Sequence, residues 1–180
     1  YIMNNKVKQM VYAGLLTALA IIIPIQFSFL KIFVPPAFTA TLAAHVPMML
    51  SMLISPFVAV IVGIGSTLGF AITGLPIVVV ARAATHIIVG YMGAKIIIKN
   101  RSYAQAVLIT APIHGFLEMI VAIPFIGLAL NWALIVTLVG SIMHHMVDGI
   151  IAYAIVKAVA KSRNKDIYGA FGEFTTQQTC

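Results

Sequence analysis

Three ionisable pairs stand four residues apart in this chain: Arg82 with His86, His114 with Glu118, and His144 with Asp148. On a helix that spacing puts both members of a pair on one face. Each pair lies inside an apolar run, as in residues 111–124, APIHGFLEMIVAIP. Such residues could orient a small polar ligand, hold a metal ion, or move protons at a reacting bond. His45, His86, His114, His144 and Glu118 are suitable metal ligands, but no HExxH or comparable fixed spacing joins them, and the adjacent His144 and His145 point about 100° apart on a helix. No metal is expected. A hydrolase needs a nucleophile beside a base, or two paired carboxylates. Here Glu118 and Asp148 differ in helical depth by roughly 9 Å, and Ser66 and Ser141 have no evident partner, so no enzyme is expected. Gly63-Ile64-Gly65-Ser66-Thr67-Leu68-Gly69 is glycine-rich but lies within an apolar run. It reads as a close helix-packing surface, not as a dinucleotide loop. The chain carries no Walker motif, so it holds no cofactor of its own and does not hydrolyse ATP by that route.

The elements that must position these groups are membrane helices. With 62% hydrophobic residues, 8% charged residues and a mean hydropathy of +1.08, the chain is expected to be an all-α integral membrane protein. Apolar runs between breakers predict a compact bundle of six transmembrane helices at about 8–27, 37–54, 56–73, 76–98, 104–129 and 132–160. Residues 1–165 form one membrane domain, and 166–180 form a polar C-terminal tail. The first run lacks a small-residue cleavage site and is read as a span, not a removable signal. The net charge of +7 does not indicate nucleic acid, because the basic residues cap apolar runs instead of forming a stripe among aromatics. N- and C-termini in the cytoplasm would put Lys6, Lys8, Lys95, Lys99, Arg101, Lys157, Lys161, Arg163 and Lys165 inside, leaving Lys31 outside and Arg82 within a span; the positive-inside rule selects that topology. A bacterial or archaeal plasma membrane is the expected location.

Counting from the outer end of each span at 1.5 Å per residue places Arg82 about 9 Å deep, His45 about 12 Å, His86 and Glu118 about 15 Å, and His144 with His145 about 18–20 Å. Groups from four helices thus converge on the outer half to middle of the membrane. A charge there costs at least about 2.5–3.5 kcal/mol on insertion scales, so these groups must face one another or a wet cavity. One reading makes them glue between helices, with Arg82 neutralised by Glu118. The other makes them the wall of a pocket open to the outside, binding a small molecule through Arg82, His86, Glu118, His45 and His144, with Asn131, Trp132 and Tyr91 nearby.

Two segments carry a family resemblance: VYAGLLTALAIIIP (11–24) and the proline-bearing PPAFTATLAAHVPMML (35–50). With the six short helices, they resemble the substrate-binding S component of an energy-coupling factor (ECF) vitamin transporter over about residues 8–160. The resemblance implies a subunit that captures a water-soluble vitamin outside and delivers it through a membrane T component and two ATPases, which use the ATP. It implies a docking seam of small residues on the first helix, here Ala13, Gly14, Thr17 and Ala18, although Ala13 followed by Thr17 departs from A-x-x-x-A. It also implies a lid between the first two helices, where Phe29, Phe33, Pro35 and Pro36 stand. A pocket of this composition suits pyridoxine or a hydroxymethylpyrimidine first, if Glu118 neutralises Arg82. Niacin follows, since an unpaired guanidinium recognises a carboxylate bidentately. A stand-alone ion-coupled transporter is the alternative, and a membrane-embedded enzyme a weaker one.

Overall fold

The computed structural model describes residues 5–34, 38–127 and 132–172. In chain order these form α1 (Asn5–Gln26), a 3-10 turn (Ser28–Leu30), β1 (Lys31–Val34), β2 (Phe38–Thr41), α2 (Val46–Met52), α3 (Pro56–Ile72), α4 (Ile77–Asn100), α5 (Tyr103–Ile126) and α6 (Trp132–Ser162). Helices α1, α4, α5 and α6 are long and apolar enough to cross a membrane, and α3 is a shorter apolar helix. Their outward faces carry large exposed apolar side chains such as Leu15, Leu68, Leu108, Phe116 and Ile150, while Arg82, Glu118 and Asp148 are buried. Apolar outside and polar within is the pattern of a multi-pass membrane protein, with each helix satisfying its own backbone.

Local chemistry sets the corners. Ser55 accepts a hydrogen bond from the Val58 N–H (3.2 Å) with Pro56 in the first turn of α3, a capped start. The Ser55 hydroxyl also donates to Gln9 Oε1 (2.6 Å), tying that corner to α1. Ser102 caps α5 in the same way through the Gln105 N–H.

The glycines of α3 act as packing surfaces. A methyl group at Gly63 would lie 2.9 Å from the backbone of Ile87 on α4, and one at Gly65 would lie 2.5 Å from Thr17 Cγ2 on α1; Gly69 faces Ile21 of α1 even more closely. Small residues therefore let α3 lie against both neighbours at once.

The second predicted helix is corrected by the structure. Within 37–54 only Val46–Met52 is α-helical, while Phe38–Thr41 is a strand paired antiparallel with Lys31–Val34, in register from Lys31 opposite Thr41 to Val34 opposite Phe38. β2 packs on the bundle and β1 is its exposed outer edge. An open strand edge has no place in hydrocarbon, so this hairpin belongs at the membrane surface. Every residue of α2 is buried, which makes α2 a central plug and not a lipid-facing span.

The first residues of the tail are held by specific contacts. Asp166 pairs with Arg101 (3.0 Å), Tyr168 Oη accepts from the Tyr103 N–H (3.3 Å), and the Phe171 ring meets Tyr12 edge-on at 5.6 Å. Residues 166–172 thus fold back onto the bundle end where α1 begins and α6 finishes; 173–180 lie outside the described residues.

Candidate ligand-binding site

At the hairpin end of the bundle is a cavity of about 140 Å³, walled by the hairpin and by residues of α1 to α6. It is small against the roughly 300–1,000 Å³ of drug-sized sites, which suits a single ring. Arg82, His86, Glu118, His45 and His144, all read from the sequence as pocket residues, line it. Trp132 and Tyr91 do not: they are 67% and 46% exposed on outward helix faces. Asn131 lies outside the described residues, as do Pro35 and Pro36. Phe29 and Phe33 face outward from the hairpin, and its cavity wall is made instead by Lys31, Thr39, Ala40 and Thr41. Sequence reasoning missed Lys31, Thr39, Thr41, Ser66 and Phe70 as wall residues. The alternation of Thr39 and Thr41 was a strand signal, masked by the apolar run that follows.

Arg82 on α4 holds the centre of one wall. Its Nη2 donates to Glu118 Oε2 on α5 (2.8 Å) and to the Thr39 carbonyl of β2 (3.2 Å). The Ser141 hydroxyl of α6 donates to the same Glu118 oxygen, so one carboxylate joins three helices. The guanidinium stands 5.3 Å from the centre of the Phe38 ring, within cation–π range. Phe38 in turn rests on Gly140 of α6, where an added methyl would lie 2.7 Å from the ring. Arg82 Nε is buried and has no hydrogen-bond partner among the described residues.

Asp148 on α6 anchors the chain between hairpin and plug. Its Oδ1 accepts from the Ala43 N–H (2.7 Å) and its Oδ2 from the His45 N–H (2.8 Å), capping the start of α2 from another helix. Ala43 sits at φ 68°, a left-handed conformation uncommon for alanine, so this carboxylate holds a strained link. His144 Nε2 donates to the Thr41 carbonyl (2.9 Å) and lies 3.1 Å from Asp148 Oδ2, extending the clamp to β2. The sequence pairing of His144 with Asp148 is present, together with backbone contacts that no spacing could reveal.

Beneath the cavity the five histidines form one cluster. His45 meets His86, His114, His144 and His145 with ring centroids 4.3–6.0 Å apart, and His114 meets His86 at 5.2 Å and His145 at 5.1 Å. The Thr110 hydroxyl donates to the Ala106 carbonyl (2.7 Å), so His145 Nε2, 3.0 Å away, must be the donor to Thr110 Oγ1. That tautomer leaves His145 Nδ1 as a bare lone pair. Among the described residues, His45 Nδ1, His86 Nε2, both nitrogens of His114 and His145 Nδ1 are buried without a hydrogen-bond partner. His114 Nε2 approaches Glu118 Oε1, and His45 Nδ1 approaches Asp148 Oδ2, each at 3.4 Å, within ion-pair reach but outside hydrogen-bond geometry. A buried polar group left unsatisfied costs about 1–3 kcal/mol. His114 packs by ring contact with His45, His86 and His145, with Gly115 beside it close against Leu138 O and Ile142 of α6.

The small residues of α1 divide into two faces. Ala13 is buried and Thr17 packs on Gly65, whereas Gly14 and Ala18 are exposed, with nothing among the described residues within 4 Å of a methyl placed at Gly14.

The chain is 32% identical, over 180 aligned positions, to the niacin transporter NiaX of Lactococcus lactis subsp. cremoris (strain MG1363), covering 91% of this chain and 79% of the relative. No family model and no solved structure matches it.

Proposed function

The chain belongs to the family of ECF S-component-type vitamin transporters, and from that premise we propose that it is the substrate-binding subunit of an ATP-driven importer whose vitamin is niacin. The observation that carries the choice of ligand is Arg82 in the wall of a one-ring cavity, with an unpartnered Nε. The niacin carboxylate is the acceptor that such a donor fits. Lys31 lines the same cavity and adds attraction for an anion. His86, also in the cavity wall, offers a ring N–H as a donor for the pyridine nitrogen. From residues alone, pyridoxine or a hydroxymethylpyrimidine ranks ahead of niacin, because Arg82 is neutralised by Glu118. The pair is present, but the bond to Glu118 engages only Nη2 of the guanidinium, and the relative's substrate moves niacin to first place.

In this reading the hairpin faces the outside and both termini the cytoplasm, so the cavity loads from outside. The exposed Gly14–Ala18 face of α1 docks the membrane T component, while Ala13 and Thr17 stay within the fold. The chain is not itself an enzyme, and the two partner ATPases use the ATP. In this reading α2 with its hairpin takes the place of the second predicted span. Uptake of labelled niacin in cells lacking other niacin uptake tests the proposal: transport requires co-expression of T component and ATPases. Transport by this chain alone down an imposed proton gradient would instead establish the ion-coupled alternative.

A further inference from the structure

We propose that His45, His86, His114 and Glu118 form a binding site for one divalent transition-metal ion of the kind imidazole suits, such as Zn²⁺, Co²⁺ or Ni²⁺, at the inner end of the cavity. One ligand atom from each of the four lies within 4.8 Å of all the others. Zinc–nitrogen bonds of about 2.0–2.1 Å would set tetrahedral ligands roughly 3.4 Å apart, so an ion draws the widest pair together by about 1–1.5 Å. Side-chain rotation covers that distance.

Three observations favour this set. Among the described residues His45 Nδ1, His86 Nε2 and both His114 nitrogens have no hydrogen-bond partner, and His114 is fully buried. Histidines from three separate elements, each with an unsatisfied buried nitrogen and each with a ligand atom in the common group, call for a shared partner. The carboxylate is already oriented: Arg82 and Ser141 hold Glu118 Oε2, which leaves Oε1 directed toward His114 at 3.4 Å. Outer partners of this kind fix metal ligands in place. The neighbouring group of His45, His144 and Asp148 is also close enough, but Asp148 serves two backbone N–H groups and His144 Nε2 serves the Thr41 carbonyl.

His45, His86 and Glu118 also line the cavity, so an ion there faces the bound molecule. A dication beside one carboxylate leaves excess positive charge, which a carboxylate vitamin neutralises; that last link rests on the niacin reading. The ligands come from the start of α2, from α4 and from α5, so no sequence motif announces them.

The test uses tag-free protein in detergent, stripped with chelator and titrated with Co²⁺ while the visible d–d bands are followed. We expect one Co²⁺ per chain, displaced by Zn²⁺, with His114→Gln and His86→Gln each weakening binding at least about tenfold. Melting curves of the metal-free variants establish that they are folded. Lack of stoichiometric bands, or binding unchanged in folded His114→Gln, overturns the site. Niacin is titrated separately into chelator-treated and Co²⁺-loaded protein. Niacin binding without Co²⁺ binding sinks the metal site alone, and Co²⁺ binding without niacin binding sinks the niacin reading alone.

Discussion

Arg82 Nη2 and Glu118 Oε2 meet at 2.8 Å between α4 and α5, both side chains almost wholly withdrawn from solvent. Breaking a buried pair by removing one partner costs about 3–5 kcal/mol, because the other charge stays behind. Arg82→Gln should therefore lower the melting temperature and weaken niacin at least about 100-fold, as expected for loss of a charged hydrogen-bond partner. Nicotinamide, which lacks the carboxylate, should be affected far less. Isothermal titration with both compounds checks this, and equal losses would argue against a carboxylate contact.

Glu118→Gln separates the two roles of the pair. It should destabilise the protein comparably, since Arg82 is left buried without its counter-ion. Niacin affinity, measured on the fraction that remains folded, should be kept or raised, because the guanidinium then looks to the ligand for its charge partner.

Asp148→Asn addresses the hinge of the hairpin. The carboxylate accepts from the Ala43 and His45 N–H groups at 2.7 and 2.8 Å, and hydrogen bonds to a charged group contribute about 1.5–3 kcal/mol each. The variant should melt earlier, and hydrogen exchange should accelerate at residues 38–46 before it does in α4 or α5. Uniform acceleration across the bundle would mean that Asp148 supports the whole fold and not the hairpin.

Two glycines should respond in opposite ways. Gly63→Ala places a methyl 2.9 Å from the Ile87 backbone, and overpacking of that kind costs about 1–3 kcal/mol. A methyl group at Gly14 meets nothing within 4 Å among the described residues, so Gly14→Leu extends into open space on that face. It should leave melting and niacin binding unchanged while abolishing co-purification with the T component. Loss of niacin binding in Gly14→Leu would assign that face to the fold itself.

Much of this architecture was legible in the sequence because lipid imposes a simple code. Long apolar runs became α1, α4, α5 and α6, and the buried Arg82 and Glu118 converge with the half-buried His86 because placing an ionisable group in a membrane demands a partner. The hairpin was not legible. Residues 37–54 read as one apolar stretch, and the break between strand and helix is held by the Asp148 carboxylate, more than one hundred residues away, at the Ala43 and His45 N–H groups. Trp132 and Tyr91 were misplaced for a related reason: depth can be counted along a helix, but the face a residue presents depends on which neighbours pack there. The histidines were legible only as groups at similar depth; that their rings touch follows from packing the start of α2, α4, α5 and α6 together.

The most direct measurement is the relative affinity of purified protein in lipid nanodiscs for niacin, nicotinamide and pyridoxine, by isothermal titration. A guanidinium-lined, one-ring cavity predicts one niacin per chain, with nicotinamide and pyridoxine each at least about tenfold weaker, or more than about 1.4 kcal/mol. Stoichiometric binding of pyridoxine or nicotinamide with no binding of niacin would contradict it.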